Sequence, residues 1–398
     1  MPNTKIHWLK TPEEFAPWVD AWNDLLSRSL TPPTAFHDPA WILGCWSCPR
    51  NRIAVGLITA DEILRVGLVC NAEYDAGHAL LIPIRVLGFT PHISAAYPAR
   101  LVAVADDHPP AEITRLIDQA LHHFQWQVMY LHVNRPSTVW LETAVLATAT
   151  AKGWRIRPGE ASTDAFLDTT GGSAGYLANR ANRANQFRGN QRRARNQLLA
   201  LGELTAVEVA RTSTPIAEIE AELIDNFERC WQRDSIHSPL HPTMRQHLFR
   251  LLEGMREAGL LRVYFLRLNG QAIAFEFGFV DRHAGGLYYV CARGYDDAWK
   301  RQSPGNLLTE FTIDDTTAAG LRGIYLGPIN LGADNSYKQT WLTTEWPVRT
   351  LMIIHPRSIY GVLDYCYEKC ATFRKIWWKF DLGQRLRRLF WFFHGPTG

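Results

Sequence analysis

The sequence lacks the segments that would carry it out of the cell or hold it in a membrane. No apolar stretch follows Met1, so we expect no signal peptide. No run of about 18 uncharged apolar residues is present either, so we expect no membrane-spanning helix. The net charge is only +3, which does not suit a uniformly basic nucleic-acid-binding surface. These absences predict a cytoplasmic protein.

Cysteine is scarce and odd in number, with seven in 398 residues, which argues against a secreted disulfide framework. Two close cysteine pairs, at 45 and 48 and at 366 and 370, lie at opposite ends of the chain, and a shared zinc site would need them to meet. His237 and His241 stand four residues apart, but Pro239 prevents the regular helix that would align them. We therefore expect no metal.

The length of 398 residues suits two domains of about 170 to 190 residues, and 46% hydrophobic residues are typical of a globular protein. Residues 1–160 contain patterns for two helices, an antiparallel meander, and then helix, strand, helix and strand. Residues 201–359 repeat that order. Between them, residues 161–200 form a basic linker helix, and residues 360–398 form a basic, aromatic tail.

The most informative stretch is a strand at residues 286–295 followed by a helix that begins near Ser303. Pro304 suits the first helical turn, and Gly305 lets a ligand approach the backbone closely. Arg301 and Gln302 precede the unpaired N–H groups of this helix start, which together favour an anion such as phosphate. A helix start of this kind without any ligand is the alternative.

The segment from Phe227 to Trp341 resembles the GNAT superfamily of acyltransferases, and within it the CelD-like branch linked to polysaccharide biosynthesis and the related Fem-type aminoacyltransferases. The motifs that carry the resemblance are Trp231, Asn269-Gly-Gln-Ala-Ile-Ala274, Ser303-Pro-Gly-Asn-Leu-Leu308, and Tyr337-Lys338 ahead of Trp341.

The resemblance implies an α/β (α+β) fold of tandem GNAT-like domains. Each domain would have a mixed, mainly antiparallel sheet flanked by helices, with a cleft between the domains. The first domain carries no cofactor motif. In the second, the turn after the central strand would hold the pyrophosphate of acyl-CoA, acetyl-CoA or a longer acyl-CoA, as co-substrate. The predicted cofactor-binding residues are Arg301, Gln302, Ser303, Gly305 and Asn306.

Three residues are predicted to be catalytic. Glu276 lies inside an apolar strand, where burial would raise its pKa toward that of a useful base, although a place on a solvated face is the alternative. The resemblance implies that Tyr337 protonates the leaving group and that Lys338 holds a phosphate or carboxylate. Asp334 is a weaker candidate, because an Asp before a helix is commonly an N-cap.

The linker is the most basic run in the chain, with arginines interleaved with Asn and Gln. Guanidinium groups favour phosphate and carboxylate, so Arg188 and Arg192, together with Trp231, are predicted to bind substrate. The basic linker has several possible roles. It is either a solvated helix, or it binds the phosphates of CoA, an anionic polysaccharide or lipid phosphate, or the acceptor arm of a tRNA. The aromatic, basic tail suits either an anionic membrane surface or packing on protein.

These features lead to one function hypothesis and two rivals. The first is an acyl-CoA-dependent N- or O-acyltransferase that acts on a sugar, polysaccharide or lipid-linked precursor by direct attack in a ternary complex. No nucleophile elbow or Cys/His pair is present for a covalent mechanism. The second is a Fem-type transferase that uses aminoacyl-tRNA. The third is a catalytically silent scaffold of an envelope-polymer synthesis complex. The first hypothesis places the protein in the cytoplasm, with a peripheral position at the inner face of the cytoplasmic membrane as an option.

Overall fold

The structure is a computed structural model. It describes residues 3–29, 33–47, 53–75, 84–88, 102–104, 110–123, 126, 128–133, 139–158, 162–178, 184–235, 238–282, 285–329 and 336–355, together with 362 and 365. No helix within these residues is long and apolar enough to cross a bilayer.

The described residues form fourteen strands. In chain order they are β1 Thr4–Leu9, β2 Ile53–Ala60, β3 Ile63–Asp75, β4 Ile84–Gly88, β5 Val102–Val104, β6 Val128–Val133, β7 Arg155–Pro158, β8 Ser162–Asp168, β9 Leu204–Glu208, β10 Leu261–Leu268, β11 Gln271–Val280, β12 Leu287–Tyr295, β13 Gly323–Ile329 and β14 Thr344–Ile354.

The same residues form eleven α helices. They are α1 Pro12–Phe15, α2 Val19–Ser27, α3 Pro39–Trp46, α4 Pro110–His123, α5 Val139–Ala151, α6 Gly172–Ala178, α7 Ala184–Leu199, α8 Ile216–Glu228, α9 Pro242–Glu257, α10 Pro304–Ala318 and α11 Ser336–Trp341. Short 3₁₀ turns at Ala16–Trp18, Ala35–His37 and Asp297–Gln302 lead into three of them.

Each half of the chain repeats one pattern of strand pairing. In the first, β1, β2, β3 and β4 pair antiparallel in that order, and β6 then pairs parallel with β4. In the second, β9, β10, β11 and β12 do the same, and β13 pairs parallel with β12. The predicted fold class is therefore confirmed: tandem, mainly antiparallel sheets flanked by helices.

The two sheets meet at β14. Its first residues pair with β8, which in turn pairs with β13, and its later residues pair with both β6 and β7. The strands therefore form one continuous path from β1 to β9. β8 lies inside the segment predicted as a linker helix, so part of that segment belongs to the sheet. The division of the chain into four units remains a prediction.

One large apolar core spans both halves of the chain. Trp41 of α3 packs edge-on against Phe279 of β11, with ring centroids 5.2 Å apart. Phe36 meets Tyr289 of β12 in the same way at 4.8 Å. Beside these rings, Asp281 accepts a hydrogen bond from the Ala35 N–H at 2.7 Å. The helices at the front of the chain are thus anchored on the sheet of the second half.

The local patterns predict helix starts well. Asp38 caps α3 through the Ala40 N–H with Pro39 in the first turn, and α4 has the predicted bounds. Asn269 and Gly270 both have positive φ, 51° and 82°, which matches the expected hairpin turn. The helical spacing of apolar residues from 11 to 28 predicts one helix, but the structure splits this stretch at Pro17 into α1, a 3₁₀ turn and α2. Strand β1 was not predicted.

Candidate functional site

The site begins at the N-terminus of α10. Ser303 adopts the left-handed conformation, with φ 47° and ψ 53°, and so turns the chain sharply between the 3₁₀ turn Asp297–Gln302 and the helix. Pro304 occupies the first helical position and has no N–H to satisfy. The Asn306 N–H donates to the Ser303 carbonyl at 3.0 Å, whereas the Gly305 N–H is hydrogen-bonded to no described residue. One backbone donor therefore remains for a ligand.

The predicted cofactor-binding side chains have different surroundings. Arg301 is exposed and makes no ion pair with any described residue. The side-chain oxygen of Gln302 is buried without a hydrogen-bond partner among the described residues. Asn306 is engaged in packing, since its Oδ1 accepts a hydrogen bond from the Trp341 indole N–H at 2.9 Å. The Arg301 guanidinium and the Gly305 N–H thus remain the groups best suited to bind an anion, whereas the buried Gln302 oxygen would need a hydrogen-bond donor.

The strands next to this turn diverge. The parallel ladder between β12 and β13 is short and joins Leu287–Tyr289 to Gly323–Tyr325. β12 also carries a bulge at Cys291, where its register against β11 shifts. Beyond the bulge, β12 leads through the 3₁₀ turn to the start of α10, and α11 follows β13 in the chain.

Glu276 lies on β11 beneath α10 and is only 1% exposed. The structure therefore confirms that this carboxyl is buried. Burial raises its pKa, and the nearby Arg293 cation opposes that rise. The hydroxyls of Thr312 and Tyr288 also lie close and lower the pKa, but neither carboxylate oxygen has a hydrogen bond of standard geometry.

Arg293 was missed by the sequence reasoning, and it lies at the centre of the site. Its Nη1 is 3.5 Å from Glu276 Oε2, an ion pair too long for a good hydrogen bond. Its Nη2 donates to the Gly305 carbonyl and to Thr309 Oγ1, both at 2.8 Å. Its guanidinium carbon lies 4.7 Å from the centre of the Tyr337 ring. One residue thus contacts a strand, two turns of α10, and α11.

A cross-strand count would have found it. The chain turns between β11 and β12 near residue 284, so antiparallel pairing places Glu276 opposite residue 292 or 293. Arg293 is the cation at that position, and the structure pairs the two. Two opposite charges facing each other within apolar strands were the available signal.

Tyr337 and Lys338 lie on α11 beside Arg293. Burial raises the pKa of Tyr337 to about 12, which the Arg293 cation opposes and Glu276 reinforces, so this phenol stays protonated at neutral pH. Burial lowers the pKa of Lys338 to about 8; Asp164 opposes the shift and Arg293 adds to it. The Lys338 ammonium donates to the Pro328 carbonyl. The structure brings these two candidates together with Glu276.

The predicted substrate-binding residues are spread more widely. Arg192 is exposed on α7. Arg195, on the same helix, forms an ion pair with Glu310 of α10 at a distance of 2.8 Å. Arg188 belongs to α7, but its side chain lies outside the described residues. Trp231 follows α8 and is 56% exposed. The backbone just before it is tied to the chain entering the 3₁₀ turn, since the Asp297 N–H donates to the Arg229 carbonyl at 3.1 Å.

The outer face of α7 lines an open depression of about 540 Å³. The described residues of its wall are Gly189, Arg192, Arg193, Asn196, Gln197 and Ala200. Asp334 and the tail beyond residue 365 lie outside the described residues. Within the part of the chain that is described, no group of three or more His, Cys, Asp or Glu side chains could hold a metal ion.

Comparison with known families agrees with this geometry. Residues 185–339 match the family model described as an acetyltransferase (GNAT) domain. This segment is therefore similar to GNAT acetyltransferase domains. It contains α7, the diverging strands β12 and β13, the start of α10, and Tyr337 with Lys338. The chain therefore carries an acyltransferase. The more specific CelD-like assignment is not part of this match.

Several solved structures share the fold of most of this chain. A conserved protein of unknown function from Bacteroides thetaiotaomicron superposes with a TM-score of 0.55 at 12% identity, covering 89% of this chain and 100% of its own. FemX superposes with a TM-score of 0.55 at 9% identity, and the match covers 90% of this chain and 99% of FemX. L-PGS from Bacillus licheniformis superposes with a TM-score of 0.50 at 12% identity, and the match covers 87% of this chain and 94% of L-PGS. No curated protein sequence matches the chain.

Proposed function

We propose that this protein transfers an acyl group from acyl-CoA to an amine or hydroxyl on a sugar, polysaccharide or lipid-linked precursor. The observation that carries the proposal is the start of α10, where the Gly305 N–H is bonded to no described residue and lies beside Arg301, close to the buried phenol of Tyr337. Arg293 joins the two, because it donates to the Gly305 carbonyl and covers the Tyr337 ring. Together these groups suit a phosphate-binding turn with a proton donor nearby.

The chemistry needs no covalent enzyme intermediate. The lone pair of the acceptor attacks the thioester carbonyl, a C–N or C–O bond forms, and the C–S bond breaks. Glu276, whose pKa is raised by burial, takes the proton lost by the acceptor, and Tyr337 gives a proton to the departing thiolate. Lys338 holds an anionic group of the substrate, and Trp231 offers an exposed ring to the acceptor.

Thermal shift measurements test the donor. CoA, acetyl-CoA and longer acyl-CoAs should each raise the melting temperature, because a ligand that binds only the native state stabilises it by mass action. Arg301→Glu should reduce the shift strongly, since it reverses the charge beside the helix start. The control is Arg322→Glu, at an exposed arginine beyond the opposite end of α10. Equal shifts in both variants would show that the anion binds elsewhere.

The aminoacyl-tRNA alternative rests on α7. Arg192 and Arg193 are exposed on this helix and form no ion pair with described residues, and the helix packs near the 3₁₀ turn that leads into α10. If this alternative holds, tRNA should raise the melting temperature at low salt, and the effect should fall steeply as salt increases. The double variant Arg192→Glu, Arg193→Glu should abolish this rise in melting temperature with tRNA. Under this alternative, acyl-CoA should not raise the melting temperature of the wild-type protein.

A silent scaffold is the third outcome. The turn before α10 contains one glycine, Gly305, where the family pattern has several. If neither acyl-CoA nor tRNA shifts the melting temperature of the wild-type protein, both transferase proposals fail and the scaffold gains support.

A further inference from the structure

The side chain of Arg293 contacts Glu276 on β11, the first turns of α10, and Tyr337 on α11. We propose that Arg293 is a positioning residue that couples the grip on the donor at the start of α10 to the groups that move protons, Glu276 and Tyr337. This inference rests on the proposed acyl transfer. No family pattern or sequence motif assigns a role to this arginine.

The guanidinium is fixed from one side. Its Nη2 makes two 2.8 Å hydrogen bonds to the first turns of α10, to the Gly305 carbonyl and the Thr309 hydroxyl. The Gly305 carbonyl belongs to the same residue whose N–H is open to an anion. A ligand that moves the helix start therefore moves the guanidinium with it.

The other side of the guanidinium faces the reacting groups. Nη1 is buried without a hydrogen-bond partner among described residues, and so are both oxygens of Glu276, which is more than nine-tenths buried. Their separation of 3.5 Å leaves the pair loosely joined. A buried donor and acceptor left unpaired are costly, so such a pair is kept where a small movement changes its contacts.

The aromatic contact completes the coupling. Arg293 covers the face of the Tyr337 ring at 4.7 Å, which sets the plane of the phenol and holds α11 against β12. The titratable groups around Arg293 are Glu276 and Tyr288 from the sheet and Tyr337 and Lys338 from α11, with Asp164 of β8 facing Lys338. The cation lowers the pKa of each of these tyrosines and of Lys338.

The matched control is Arg267 on β10. It pairs with Glu222 at 2.5 Å, lies 5.5 Å from the Phe265 ring, and is 26% exposed, so it has the same kinds of partner in the same sheet. Arg267→Gln should cost stability without reaching the site. Arg293→Gln removes the coupling charge, and Arg293→Lys keeps the charge but loses the planar contacts.

The first measurement needs no donor. The reactivity of Lys338 toward trace acetic anhydride, followed by mass spectrometry across pH, reports the pKa of its amine. Arg293→Gln should raise that pKa from about 8, because a neighbouring cation is lost, and Arg293→Lys should restore part of the shift. Arg267→Gln should leave it unchanged. If Arg293→Gln also leaves it unchanged, the inference is overturned.

The second measurement is thiol release from acetyl-CoA with glucosamine as acceptor. Arg293→Gln should lower kcat about tenfold or more and displace the pH profile, with KM for acetyl-CoA changed less than about threefold. Arg267→Gln should keep the wild-type profile. A loss confined to KM, or to melting temperature, in Arg293→Gln would overturn the positioning role. If the wild-type protein releases no thiol, the proposed function fails, and the Lys338 titration alone decides where Arg293 acts.

Discussion

Lys338 carries an amine into a site where burial favours its neutral form. Because the pKa falls from 10.5 to about 8 on folding, the unfolded chain binds more protons between these two values. The free energy of unfolding should therefore rise with pH across that window. The buried charge costs about 3 kcal/mol at neutral pH, and that cost disappears above the unfolded pKa.

Lys338→Met tests this cost. The variant loses the titration along with the hydrogen bond to the Pro328 carbonyl, which adds an offset that does not depend on pH. Relative to wild type, the variant should therefore lose about 2 to 3 kcal/mol of stability between pH 7 and pH 10.5, measured by urea unfolding at a series of pH values. A difference that stays constant with pH would contradict the assigned pKa.

At the scale of single residues, the sequence predicted which side chains are buried better than it predicted which side chains they contact. The apolar neighbours of Glu276 on its strand were enough to expect a buried carboxyl. Arg293 could be found only by pairing two strands across a turn, and its contacts with Gly305, Thr309 and Tyr337 depend on how α10 and α11 pack. The local spacing of residues does not show how distant segments pack, which is why Arg293 was missed.

At the scale of elements, α3 shows how a short helix is held in place. Asp38 Oδ1 accepts the Ala40 N–H at 2.9 Å, and Oδ2 accepts from Arg282, which lies between β11 and β12. Asp38→Ala removes the cap and the ion pair together and should lower stability by about 2 kcal/mol in chemical unfolding. Asp38 is buried, so water does not replace its bond to the Ala40 N–H, whereas Arg282 is 56% exposed and can be hydrated when the ion pair is lost.

Asp24→Ala is the matched control for this substitution. Asp24 pairs with Arg28 within α2, but its side chain is 62% exposed, so its loss should cost less than about 0.5 kcal/mol. Equal losses at the two positions would mean that Arg282 does not anchor α3.

Helices that begin with a proline were easier to predict than elements without such a residue. Pro39, Pro110 and Pro304 mark the helices that were expected at the right place. Strand β8 was not predicted, because it is short and depends on its neighbours, whereas a helix after Asp334 was expected and α11 follows there. β8 is sandwiched between β13 and β14, and α11 is anchored where Trp341 meets Asn306 and stacks on Tyr176 at 5.3 Å.

At the scale of the whole molecule, the two halves should unfold together. β14 pairs with strands of both, and the apolar core runs across their boundary. Leu351→Pro interrupts β14 between β6 and β7 and should cost about 3 kcal/mol or more. Hydrogen exchange followed by mass spectrometry should then show reduced protection in β13 as well as in β6. Loss of protection in β6 alone would mean that the halves are independent.

The repeated order of helices and strands was enough to predict a tandem fold. It did not predict that one strand would serve both sheets, because pairing between residues 130 and 352 leaves no local pattern in the chain.

The place of β14 also constrains how the protein is made. Strand β6 emerges from the ribosome more than two hundred residues before its neighbour in β14. Until that neighbour is synthesised, the first sheet waits with one exposed edge, open to wrong partners and to chaperones. Splitting the gene between the repeats would therefore yield two fragments that must find each other, rather than two folded proteins.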